Sequence, residues 1–137
     1  MKTAVLLINL GTPDSPKTAD VRKYLSAFLN DNRIIDLTWM ARKLLVNLII
    51  VPFRSPKSAA LYKKLWTATG SPLLVNTKNL RNALRKELSE DYVVEMAMRY
   101  GKPALKNMLG KLEKQQPERI ILVPMYPQYA SSTTGSS

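Results

Sequence analysis

Three short runs, TAVLLINL at Thr3–Leu10, YVVEMAM at Tyr92–Met98 and RIILVPM at Arg119–Met125, are apolar on both sets of alternating positions. A strand with that pattern has to be covered on both faces, as in a parallel sheet. Helical periodicity fills the gaps between them. Val21, Tyr24, Leu25, Phe28 and Leu29 form one apolar face over Thr18–Asn30, which NDN ends. Leu80, Ala83, Leu84 and Leu88 do the same over Thr77–Glu90. Leu105, Met108, Leu109 and Leu112 repeat it over Pro103–Gln115, with Pro103 expected at the first helical position. Two further helices, near Trp39–Ile50 and Lys57–Thr67, are expected on either side of VPFRSPK. Strands alternating with helices predict an α/β fold: a three-layer α/β/α lobe with a parallel sheet, as a single domain over residues 1–137.

Right-handed crossovers bring all three strand ends to one edge of such a sheet. The stretches that follow those ends are GTP at Gly11–Pro13, RYGKP at Arg99–Pro103, and YPQYASSTTG from Tyr126. Ligands of open α/β sheets bind beyond the carboxyl ends of the strands, so these glycines, tyrosines, hydroxyls and the arginine mark a site.

Composition limits its chemistry. The chain has no cysteine and no histidine, which excludes disulfides, thiolate catalysis and the commonest general base at neutral pH. The acidic residues show no metal-ligand spacing. The net charge is +11, and no acidic residue lies between Asp36 and Glu87. That stretch carries ten cations and attracts anions: phosphates, nucleic acid, acidic lipid or carboxylates. GTPDSP lacks both glycine-rich phosphate fingerprints, and its prolines remove backbone donors. The aromatics do not interleave with the cations as a stacking platform for nucleic acid requires, so no nucleic-acid partner is expected. The apolar start reads as a buried strand rather than a signal peptide, and the longest greasy run, LLVNLIIVPF, is shorter than a membrane span. A cytoplasmic protein is expected.

NLGTPDSP, RSPKSAALYKKLWTATGSPL, MRYGKP and YPQYASSTTGSS, in this order, resemble the N-terminal half of the ferrochelatases, and the resemblance spans essentially the whole chain. It implies a Rossmann-like chelatase fold of two lobes with a porphyrin cleft between them. It also implies insertion of Fe²⁺, a substrate, into the porphyrin of haem biosynthesis, with no organic cofactor. By the same resemblance, Arg54 binds a propionate, with Lys57 adding charge, and Tyr62 and Ser71 sit at the porphyrin edge. Arg99 and Tyr100 belong to a polar cluster at the inner end, and Tyr126, Ser132 and Thr133 line the pocket near the metal-loading face. Leu10, Leu25, Phe28 and Leu29 form an apolar lip. The greasy helix before Pro52 resembles a lip that meets a membrane surface, with basic neighbours suited to anionic lipid.

Each residue also has a plainer reading. Leu25, Phe28 and Leu29 fit ordinary core, Tyr62 could pack on Trp66, and Arg99 could pair with Glu95, although strand residues four apart are poorly placed to touch. The family's essential histidine and glutamate lie after the hydroxyl-rich loop, and this chain has no histidine. The expectation is therefore an N-terminal lobe without its C-terminal partner, binding porphyrin weakly or not at all, inactive alone, and free to self-associate through uncovered surface that includes Met98 and Tyr100. Whether the porphyrin is protoporphyrin or coproporphyrin is open. A non-catalytic tetrapyrrole-binding module and a basic nucleic-acid-binding domain are the alternatives.

Overall fold

The structure is a computed structural model and describes residues 2–31 and 33–126. The three apolar runs form β1 (Thr3–Gly11), β2 (Tyr92–Tyr100) and β3 (Arg119–Pro124), all parallel, in the order β2-β1-β3. Gly11 pairs with Tyr100 and Ile8 with both Ala97 and Pro124, so the strands finish at one edge, as expected.

Side-chain alternation divides the core between the two faces. Ala4, Leu6, Ile8 and Ala97 pack on Leu105, Met108 and Leu112 of α5 (Leu105–Lys114). Val5, Leu7, Val94, Met96 and Met98 pack on Leu74, Leu84 and Leu88, carried by α4 (Pro72–Glu87) and the residue after it. A third cluster joins α1 (Thr18–Leu29) to Val46, Val51 and Ala59 and reaches Tyr100 at the end of β2. Met98 and Tyr100 are therefore buried, contrary to the expectation that they are left uncovered.

The helix ends depart from the sequence reading wherever proline was the guide. The two helices expected around VPFRSPK are one helical stretch, Trp39–Leu65. It comprises α2 (Trp39–Leu44), a π-helical turn at Leu45–Ile50, and α3 (Val51–Leu65). Within the wide turn, the Val51 amide bonds back five residues to Val46. This opens the backbone where the ring of Pro52 would meet the carbonyl four residues earlier. Joined in this way, the stretch is 27 residues long and, by length and composition alone, apolar enough to cross a membrane. The expected ten-residue limit does not hold. Its Val46, Val51, Ser55 and Ala59 are nevertheless buried, while Trp39, Met40, Leu44, Leu48, Ile49 and Phe53 are exposed.

α4 starts at Pro72, not Thr77, because Ser71 is the extended residue before it and Pro72 supplies helix-ready backbone. α5 starts at Leu105, not Pro103. The Pro103 carbonyl accepts from the Met98 amide at 2.7 Å and Ala104 bridges Met98, so this segment prolongs the sheet before the helix begins.

The two sheet edges differ. On β2, Glu95 is 8 % exposed and meets Lys111 of α5 at 2.9 Å and Arg85 of α4 at 3.1 Å. Arg85 also donates its Nε–H to the Val94 carbonyl at 2.8 Å, so the two cations reach around the edge from opposite faces. Glu95 is thus committed here and is not the partner of Arg99. On β3, Ile120, Ile121 and Leu122 are exposed, and among the described residues no strand pairs with its outer side.

Candidate functional site

The site lies on the helices that flank the strand ends. Along α3, Arg54, Ser58, Leu61, Tyr62 and Leu65 form a stripe at helical spacing that adjoins the face of the buried Val51, Ser55 and Ala59. They face Tyr24, Leu25 and Phe28 of α1 across a cavity of about 390 Å³, with Leu10 of β1 at its floor. A second cavity of about 240 Å³ shares Tyr62 and Leu65 and continues to Gly11, Thr12, Trp66 and Ser71. There the buried Thr12 hydroxyl donates to Ser71 Oγ at 2.9 Å, which ties the end of β1 to the start of α4.

Five aromatic rings run along this cleft. Trp66 meets Tyr62 and Tyr62 meets Tyr24 edge-on, with centroids 6.4 Å apart in both pairs. Tyr24 stacks on Phe28 at 6.1 Å, and Phe28 meets Tyr100 edge-on at 5.3 Å. Such geometries follow the ring quadrupoles and give the wall a rigid apolar surface with phenols at intervals. Tyr24 donates to the Gly11 carbonyl at 3.3 Å. Burial, helped by the neighbouring Tyr62 and Tyr100, pushes its phenol far above the ordinary value. Burial also raises Tyr62, against the opposing pull of Tyr24 and of the Arg54 charge. Both phenols therefore stay protonated at physiological pH and act as hydrogen-bonding groups rather than bases.

Beyond the Phe28–Tyr100 contact lies a polar cavity of about 560 Å³, lined by Asn30, Asp31, Arg42, Arg99 and Tyr100. Here the Asp31 side chain is 9 % exposed. Its Oδ2 accepts from Tyr100 Oη and from Arg99 at 3.2 Å, and its Oδ1 accepts from the Arg33 amide at 2.9 Å. The Arg99 guanidinium also lies 4.9 Å from the centroid of the Tyr100 ring. Burial works against the charge on Asp31. The Tyr100 phenol, the Arg33 amide and the Arg99 guanidinium outweigh it and hold the carboxyl below its ordinary value.

Of the residues singled out from sequence, Leu10, Leu25, Phe28, Arg54 and Tyr62 share the first cavity, Ser71 lines the second, and Arg99 and Tyr100 line the third. Leu29 is packed into the core beside Val21 and Val46 rather than facing the cleft. Lys57 is exposed on α3 and lines none of these three cavities. Tyr126 lies close enough to Tyr24 to add slightly to the upward shift of the Tyr24 phenol. Ser132 and Thr133 fall outside the described residues. Tyr62 does pack on Trp66 as the plainer reading held, and it lines the cleft as well. Tyr24 and Asp31 were missed as site residues. The four-residue spacing of Tyr24 and Phe28 was visible, whereas Asp31 read only as part of a helix-ending NDN. Among the described residues no three acidic side chains gather as a metal site would need.

A sequence model of the family described as ferrochelatase matches residues 2–137. A ferrochelatase of Coxiella burnetii is 47 % identical over 136 residues, covering 99 % of this chain and 38 % of the relative. One of Xylella fastidiosa is 46 % identical over 134 residues, covering 98 % of this chain and 42 % of the relative. The chain thus spans about two-fifths of the length of the curated relatives it matches. With a family match over nearly every residue, and with the cleft at the strand ends where the motifs fall, this chain belongs to the ferrochelatase family.

Proposed function

We propose that this chain forms one wall of a porphyrin cleft, in which a flat macrocycle lies along the aromatic row from Trp66 to Tyr100 and a propionate meets Arg54. The reaction served is insertion of Fe²⁺ into the porphyrin of haem biosynthesis. The observation that carries the reading is the single stripe Arg54-Ser58-Leu61-Tyr62-Leu65, which sets one planar cation at the rim of an otherwise apolar, ring-lined cavity. A guanidinium fork suits a carboxylate, and aromatic walls suit a ring that is apolar over most of its area.

On this reading the wall recognises and does not turn over. Metal insertion displaces two pyrrole protons, which need an acceptor. The chain has no histidine, its cleft phenols stay protonated, and Asp31 already accepts from three donors. The relatives carry more than half of their length outside the matched part, and on this reading the base and iron ligands come from a second lobe of that kind. Saturable quenching and shift of the porphyrin Soret band should accompany titration of deuteroporphyrin into the chain, with no metalation when Zn²⁺ follows. Arg54→Ala should weaken binding about tenfold, in line with the loss of a charge-assisted hydrogen bond. Equal affinity in Arg54→Ala would remove the propionate assignment, and rapid metalation would remove the division of labour.

Cytoplasmic placement at a membrane face is part of the same proposal. Trp39, Met40, Leu44, Leu48, Ile49 and Phe53, the last 76 % exposed, lie on the helical stretch that ends at the cleft, beside Lys43, Arg54 and Lys57. An exposed apolar helix with cations along it suits the interface of an anionic bilayer. The chain is expected to sediment with phosphatidylglycerol vesicles, and Phe53→Ser with Ile49→Ser should weaken that several-fold. Equal sedimentation of the double variant would discard the membrane contact.

A further inference from the structure

Arg99 and Tyr100 are consecutive strand residues, and consecutive side chains of a strand leave on opposite faces. Both nevertheless end on one atom, Asp31 Oδ2. They converge because β2 finishes at Tyr100, and because Asp31 comes from a different element, the turn after α1. Their separations in sequence from Asp31 are 68 and 69 residues, so no local preference of the chain brings them together. Asp31 Oδ1 is taken up separately by the Arg33 amide, which fixes the rotation of the carboxylate itself. The result is a chain of contacts from Arg33 through Asp31 to Tyr100, whose ring stacks edge-on against Phe28 in the cleft wall.

We propose that Asp31 is a positioning residue of the porphyrin site, one that locks the Arg99 guanidinium and the Tyr100 ring in the arrangement the bound macrocycle meets. This rests on the porphyrin reading given above. Without a fixed acceptor a partly exposed arginine samples more rotamers, and the buried Tyr100 phenol loses the acceptor that sets its tilt in the core. Each ordering would then be charged against binding, at a cost that a preorganised site avoids. With Oδ2 shared by both donors, a change at one is felt at the other. The acidic residue thus aids an anionic ligand by holding the groups that meet it, not by touching it. A role confined to stability would tie the turn after α1 to β2 and leave ligand affinity alone.

The test uses the whole 137-residue chain, with deuteroporphyrin followed by its Soret band and the Arg99 Nη2 protons, which reach Asp31, followed by ¹⁵N NMR. Asp31→Asn should bind porphyrin about tenfold more weakly per folded molecule, and Asp31→Glu should recover most of the loss. In an Arg99→Ala background Asp31→Asn should add little, because the group it positions is gone. The Arg99 Nη2 protons should be shifted and protected from exchange in the parent chain and in Asp31→Glu, and should lose much of that shift and protection in Asp31→Asn. Unchanged affinity in folded Asp31→Asn, or losses from Asp31→Asn and Arg99→Ala that simply add, would overturn the proposal. If the parent chain itself binds no porphyrin, the porphyrin reading of this chain fails on its own. The NMR signal then decides the lock separately, and a free-arginine signal in the parent overturns it. If Asp31→Asn does not fold, Tyr100→Phe replaces it: the ring stays, one donor is lost, and affinity should fall with the Arg99 signal still shifted.

Discussion

Gly11→Ala is expected to leave the chain largely unfolded. At Gly11 the backbone has φ of +124°, a region where a side chain is strained. A Cβ placed there would stand 1.5 Å from the Tyr100 carbonyl oxygen, far inside any real contact, and that oxygen belongs to the neighbouring strand at the last pair of the β1–β2 ladder. Relief requires β1 and β2 to separate where both enter the site. A loss of about 4 kcal/mol or more follows, close to the whole stability of a small domain. Gly70→Ala is the control: its φ is +116°, but nothing lies within 4 Å of the added carbon. Backbone strain alone then costs about 1–2 kcal/mol. Urea denaturation followed by circular dichroism reads both, and a Gly11→Ala protein as stable as Gly70→Ala would show that the close approach is not needed.

The second large effect concerns Glu95. Removing both cations, Arg85→Ala with Lys111→Ala, strands a carboxylate that is only 8 % exposed, whereas Glu95→Gln leaves two cations about half in water. The costs are therefore unequal. The double variant should lose about 3 kcal/mol, because an uncompensated buried charge is expensive, and Glu95→Gln should lose about 1. Arg85→Ala also frees the Val94 carbonyl at the sheet edge, so the double variant should become more prone to associate. The same urea titrations test this, and equal losses in the two variants would mean that the carboxylate is not effectively desolvated.

Much of the fold could be read before any coordinates. The three strands came from apolar residues on both faces and the helix faces from their 3.6-residue period, but two-sided burial holds for β1 and β2 only, since Ile120, Ile121 and Leu122 of β3 are exposed. The errors sit at prolines. Pro52 and Pro56 read as breaks, yet a π-helical turn absorbs the first and the helix runs through the second. Pro103 read as a helix start, yet its carbonyl is spent on Met98. Such choices depend on which distant group claims a carbonyl, and a local pattern does not carry that. The site divides in the same way. Arg54 and Tyr62 were named through the family resemblance, with Arg54 expected between two helices rather than on one stripe with Tyr62, whereas Asp31 joins Arg99 across 68 residues of chain. Leu29 shared the period of Phe28 but points into the core, since periodicity names a face without saying how far around it the cleft extends.

The unequal edges of the sheet have a consequence for assembly. Indefinite ribbon growth needs two strands that can each accept a neighbour. Here one rim is interrupted by the Arg85 side chain on the Val94 carbonyl and by the 103–104 segment on Met98, while along β3 no such cap is seen among the described residues. A unit with a single acceptor side is a chain terminator in the polymer sense. Joined rim to rim, two such units saturate one another and stop, and a strand added beside β3 uses up the same one valence.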